Sequence, residues 1–216
     1  MNRATRDKFT AGTDQSKLTS GSACWETVPA VFAKLNEDFG PFDIDLTADP
    51  ARHLCPVWFG PGSAVEQDAL SGDWYKHGKS GYSNPPYGRF VARMLAHARG
   101  QARAFGFTTT LLLPMRVTIA FREHVISAPS VELWFSDSRL IFWENGAPRL
   151  NPKTGKPDAA LFDSIIVRFG PSLARGVHVG IWNAPSAQEQ SRHVTRAHDD
   201  HALRGLSELS DESGAV

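Results

Sequence analysis

Cysteine is almost missing from this chain. Cys24 and Cys55 are the only two in 216 residues and do not form a Cys-x-x-Cys pair, which excludes a disulfide framework and a zinc ribbon. Long apolar runs are missing too. The stretch around Leu111-Leu112-Leu113 falls far short of the roughly 20 residues that cross a bilayer. The opening MNRATRDKFTAGTD is polar and lacks the apolar centre of a secretory signal. These absences lead us to expect a cytoplasmic protein with neither membrane partner nor metal. Acids are absent from Trp74 to Arg122, where Lys76, Lys79, Arg89, Arg93, Arg99, Arg103, Arg116 and Arg122 all occur. Aromatic residues are absent from 186–216, so that polar stretch is expected to stay out of the core as a tail, with a short helix around 193–206.

What is present suits one domain. Hydrophobic residues at 41% against 21% charged can bury a core, which excludes a wholly disordered chain. Residues 1–22 are expected to form a flexible arm, 23–185 the domain and 186–216 the tail. The net charge of zero conceals a division. From Glu26 to Asp73 nine acids face only Lys34 and Arg52, and the acid-free basic stretch follows. Either the acidic segment meets a small cation and the basic one a polyanion, or the two neutralise each other within the fold.

Periodicity predicts helices over 28–38, 89–105 and 118–128, with Phe90, Met94 and Ala98 on one side of the second. Strands are predicted over 42–46, 81–83, 108–113, 131–135, 140–143, 164–169 and 177–182. The β-branched and leucine-rich run 108–113 reads as a strand covered on both faces. Residues 146–158, rich in proline and glycine, read as a loop. Helices alternating with strands imply an α/β fold with a mixed sheet and an antiparallel edge.

The sharpest chemical signal is Ser83-Asn84-Pro85-Pro86-Tyr87-Gly88, between a strand and a helix. Asn84 offers a side-chain carbonyl. Pro85 has no N–H and presents only a backbone acceptor, and two prolines stiffen the turn. Tyr87 adds an aromatic face. Fixed acceptors beside an aromatic plate suit a flat heterocycle carrying an exocyclic NH2. The plain alternative is a proline-rich turn with a structural asparagine.

Asn-Pro-Pro-Tyr resembles the catalytic motif of S-adenosylmethionine-dependent methyltransferases acting on DNA adenine. The wider order resembles the phage-type DNA N-6-adenine methyltransferases. It runs through Trp25-Glu26-Thr27-Val28-Pro29, Phe42-Asp43-Ile44-Asp45-Leu46-Thr47-Ala48, Asp68-Ala69-Leu70 and Asp73-Trp74 before the motif, then Leu112-Leu113-Pro114-Met115-Arg116 and Arg139-Leu140-Ile141-Phe142 after it. The resemblance implies a single Rossmann-like methyltransferase domain, three layers in α/β/α order, encoded by a phage or prophage. It assigns Asn84, Pro85, Pro86 and Tyr87 to catalysis, and Trp25, Thr27, Asp45, Ala48, Asp68 and Leu70 to the cofactor. Asp68 would accept from the cofactor's adenine amine, with Leu70 on its ring. Lys76, Lys79, Arg89, Arg93, Arg116 and Arg139 would face double-stranded DNA, whereas Arg99 and Arg103 are expected only to solvate their helix.

Some positions depart from that pattern. A valine separates Thr27 from Pro29, no Gly-x-Gly loop follows the first strand, and Phe59-Gly60-Pro61-Gly62 stands in a different place. About twenty residues separate Asp45 from Asp68, too few for the usual second strand–helix unit, so the cofactor half is expected to be short. Asp49 and Glu66 are the acids available for the cofactor ribose. Two other classes stay open: methylation of cytosine N4 or RNA adenine, and a non-catalytic DNA-binding module. Residues 76–80 and 146–158 are the candidate loops for sequence recognition.

Overall fold

The computed structural model describes residues 25–144, 146–148 and 150–190; the expected arm over 1–22 and the helix around 193–206 lie outside them. In chain order come β1 (Glu26–Thr27), α1 (Pro29–Phe39), β2 (Ile44–Asp45), β3 (Val57–Trp58), β4 (Ser80–Ser83), α2 (Arg89–Phe105) and β5 (Thr108–Pro114). Then follow α3 (Ile119–Phe121), β6 (Ser130–Ser136), β7 (Phe142–Glu144), β8 (Ala147–Pro148), β9 (Ser164–Phe169) and β10 (Gly176–Trp182). Seven strands form one mixed sheet in the order β10-β6-β9-β5-β4-β2-β3. β9 is antiparallel to both β5 and β6, while β10 runs parallel to β6. The reversed strand therefore sits inside the sheet, two places from the β10 edge.

The leucine run shows how the sequence makes three layers. Side chains alternate along a strand. Leu111 and Leu113 enter one core with Met94, Leu95 and Ala98 of α2, while Leu112 enters a second core with Val31 and Leu35 of α1. β9 divides likewise, Ile165 and Val167 to the first core and Ile166 to the second. Burial on both faces explains why 108–113 has no polar alternation. The second layer also carries a three-stranded antiparallel sheet, β1-β7-β8. It takes β7 out of the main sheet, and it adds β8 where only a loop was expected.

α2 ends where Gly106 adopts the left-handed conformation (φ 67°) and donates back to Ala102 and Gln101. The predicted helix over 118–128 is α3 followed by a π-helical segment, Arg122–Ile126. Arg99 does more than solvate α2: its guanidinium donates to the carbonyls of Glu123 (2.7 Å) and Ser127 (3.3 Å) and braces that segment. The cofactor half is short, as β2 and β3 have two residues each. Residues 186–190 dock on the second layer, where the buried Gln190 side chain accepts from Ile141 N–H at 2.9 Å. Among the described residues no helix is long and apolar enough to cross a membrane.

Candidate active site

β2, β3 and β4 are parallel neighbours, and their carboxyl ends open on one cavity of about 390 Å³. Small ligands of open α/β sheets bind at this end, and the volume lies within the usual 300–1,000 Å³. Its wall includes nine of the residues singled out from the sequence: Trp25, Thr27, Asp45, Ala48, Asp49, Asn84, Pro85, Pro86 and Tyr87.

The asparagine is held in one orientation. Its Nδ2 donates to the Trp25 carbonyl at 2.5 Å and to Thr27 Oγ1 at 3.1 Å. A carbonyl can only accept, so the amide nitrogen must face it and Oδ1 must face away. Oδ1 is buried and has no hydrogen-bond partner. A buried acceptor left empty is costly unless something else fills it. Thr27 is held in turn: its Oγ1 shares a 2.6 Å hydrogen bond with the hydroxyl of Tyr82, a fully buried side chain of β4. Tyr82 thus stands behind Thr27, and Thr27 behind Asn84.

Tyr87 meets Phe162 edge to face at 5.4 Å, and Phe162 meets Trp25 at 6.1 Å. The Tyr87 hydroxyl is buried without a partner, and burial pushes its ionisation well above the usual range, so it stays a neutral phenol. Gly88 follows at φ 107° with open space around it, so conformation rather than crowding requires glycine between the motif and α2.

Asp45 ends β2 and is buried. Burial raises its carboxyl from the usual 3.8 to about 6. Backbone N–H donors of Leu54 (3.0 Å) and Thr47 (3.4 Å) and the nearby His53 limit the rise. No cation pairs with it directly among the described residues. Thr47 Oγ1 and Ser83 Oγ, 2.7 Å apart, tie the ends of β2 and β4 together. At the rim, Arg52 bridges Glu26 (3.0 Å) and Asp49 (3.3 Å).

Asp68 and Leu70 do not line the cavity, although Gln67 and Ala69 do. The Asp68 carboxylate instead accepts from Leu70 N–H at 2.9 Å, closing its own turn, and Leu70 packs on the first core. The basic stretch is divided. β4 runs from Ser80 to Ser83 with the motif at its far end, so Lys76, Lys79 and the loop 76–80 lie at the opposite end of the sheet from the cavity. Arg89 opens α2 beside the motif, Arg93 is one turn on, and Arg116 follows the carboxyl end of β5; all three are exposed. Arg139 follows β6 at that end and pairs with Asp163 at 3.4 Å. Lys76 pairs with Asp73 at 2.7 Å.

Sequence reasoning missed several cavity residues. Phe59, Gly60 and Pro61 line it from the end of β3. A Cβ on Gly60 would meet the Ala48 carbonyl oxygen at 2.2 Å, so only glycine allows the two segments to approach. The glycine-rich run was a visible signal, read against the wrong strand. Tyr82, Arg52, His53 and Trp143 carried no motif at all.

The family model for DNA N-6-adenine-methyltransferase (Dam) matches residues 15–170. The chain belongs to that family. The Dam family acts on adenine N6 in DNA, which decides for that acceptor over cytosine N4 and RNA and makes this chain an adenine-specific DNA methyltransferase. No curated protein matches the chain.

Proposed function

We propose that this Dam-family protein transfers a methyl group from S-adenosylmethionine to the N6 of an adenine extruded from double-stranded DNA. The observation that carries this reading is the oriented Asn84 amide: Asn84 lines the same cavity as the buried Asp45, and its Oδ1 is buried without a partner. The residues fit the cofactor. Trp25, Phe59, Phe90 and Trp143 give the cavity aromatic walls, and the Trp143 indole N–H is buried there without a partner. Asp45 supplies a carboxylate for a cationic group, and Ala48 and Thr27 line the same space. Asp68 remains a candidate for the adenine amine from just outside the wall. S-adenosylmethionine, when bound, supplies a methyl group activated by a sulfonium.

The protein's part is alignment and acceptors. Asn84 Oδ1 and the Pro85 carbonyl accept the two N6 hydrogens of the target adenine. Transfer would break the sulfonium–methyl bond and leave a neutral thioether; the positive charge that would grow on N6 is the one these two fixed oxygens would stabilise. Holding the amine in line for displacement converts binding into rate. The N6 proton leaves to water after transfer. Tyr87 offers its ring to the base, a contact worth roughly 1–3 kcal/mol. Extrusion is required because in a duplex the amine is paired and stacked. Arg89, Arg93 and Arg116 meet phosphates at the cavity end of the sheet, and residues 146–158 remain the candidate recognition segment on that side.

The test is direct. Unmethylated bacterial DNA incubated with the protein and S-adenosylmethionine should gain N6-methyladenine, detected by mass spectrometry of its nucleosides. Asn84→Ala should gain none while its circular dichroism is unchanged. Methylation by Asn84→Ala at the wild-type rate would overturn the assignment.

A further inference from the structure

Beyond the carboxyl end of β4, its neighbour β5 continues. Ser83, the last residue of β4, pairs with Leu111, and β5 goes on through Leu112, Leu113 and Pro114. At about 3.3 Å per residue, the loop that follows starts roughly 10 Å further out than Asn84. That loop carries Met115 and Val117, and Ile119 opens α3 directly after it; the three are exposed by 46%, 75% and 67%. A second loop stands beside it, because Met115 N–H donates to the Asp163 carbonyl at 2.9 Å. Its Leu161 is 76% exposed, and the next residue, Phe162, touches Tyr87. Single exposed apolar residues are ordinary. Four of them, three on two joined loops and one at the start of α3, next to the Asn84–Tyr87 motif, form a patch that calls for a partner.

The charges around the patch select that partner. Arg116 lies within the first loop and Arg122 one helical segment on, both exposed; Arg139 flanks the second loop. Apolar tips set among arginines match the base stack of a duplex with phosphates on either side, since wedges inserted between base steps are aliphatic and their flanks cationic. We propose that Val117 and Leu161, with Met115 and Ile119 beside them, form a wedge that enters the duplex and fills the gap left by the extruded adenine. The inference rests on the base-extrusion reading above. The wedge acts on duplex opening and makes no contact with the reacting nitrogen.

Val117→Ser and Leu161→Ser, combined in one protein, change only exposed side chains and should leave thermal melting and S-adenosylmethionine binding unchanged. Methyl incorporation into unmethylated duplex DNA should fall by about tenfold or more, while incorporation into the same DNA, heat-denatured to single strands, stays within about twofold of wild type. Permanganate oxidation gives a second readout, independent of turnover. Wild type should unstack thymines opposite extruded adenines and make them reactive, whereas the double variant, bound equally tightly to the duplex, should not. Equal loss on duplex and single strands, unchanged duplex methylation, or a change in oligomeric state of the double variant would each overturn the wedge. A wild-type protein inactive on both substrates would instead overturn the function on which the wedge depends.

Discussion

Thr27 Oγ1 receives a hydrogen of the Asn84 amide at 3.1 Å and shares its other hydrogen bond with Tyr82 at 2.6 Å. The amide that the proposed mechanism needs to present oxygen in one direction is thus oriented by a hydroxyl from β1, 57 residues earlier in the chain. Thr27→Val removes one of the two acceptors that hold the amide and leaves its orientation to the Trp25 carbonyl alone. Its kcat should fall by roughly 10- to 100-fold with KM for DNA little changed, by analogy with the loss of one fixed polar group in an active site. Thr27→Ser, which keeps the hydroxyl, should restore most of the rate. A steady-state comparison of the two variants checks this.

On the proposed role of Asp45, cofactor binding should depend on pH. The carboxyl ionises at about 6 in the folded protein instead of 3.8, so burying it is harmless below about pH 4 and costs stability as pH rises through 6. At about 1.4 kcal/mol per tenfold, the full cost is on the order of 3 kcal/mol. The ionised form is the one that attracts a cationic cofactor. Affinity for S-adenosylmethionine should therefore strengthen from pH 5 to 7 and level off above, as titration calorimetry would show. Asp45→Asn should bind weakly at every pH in that range and lose the dependence.

Gly60 lies against Ala48 so closely that a methyl group has no room. Gly60→Ala should push the end of β3 away from β2 and cost roughly 1–3 kcal/mol of stability. Both segments line the cavity, so cofactor affinity should fall in the same variant. Thermal melting and calorimetry test the two effects separately.

Duplex affinity should decline with salt, since phosphate contacts release counterions. Arg89→Ala and Arg116→Ala should each flatten the logarithmic salt slope by about 1. Lys79→Ala should leave it unchanged, because Lys79 lies at the far end of β4. Fluorescence anisotropy with random-sequence duplex at several salt concentrations separates these outcomes.

Long elements were legible in the sequence because their signal is local. The apolar period over 28–38 and the run 108–113 correspond to α1 and β5 within a residue or two. β1 and β3 were invisible: two-residue strands exist only through partners far along the chain, such as Trp143 for Glu26 and Ile44 for Val57. The Asn84–Tyr87 motif stood out because it is contiguous and chemically unusual, and it lines the cavity. The support behind it was not, since Tyr82 looks like any strand aromatic until its hydroxyl meets Thr27. Lys76 and Lys79 show how chain distance differs from distance in the fold. They are near Asn84 along the chain, but β4 carries the motif to the other end of the sheet.

The Gln190 contact has a practical consequence for anyone trimming this protein. A chain cut after residue 185, where the aromatic-poor composition begins, would lose the acceptor for the buried Ile141 amide. An orphaned N–H of that kind costs roughly 1–3 kcal/mol. The damage would fall just before β7, the strand that delivers Trp143 to the cavity. On the proposed mechanism, a shortened protein would lose grip on its methyl donor while the Asn84–Tyr87 corner stayed intact.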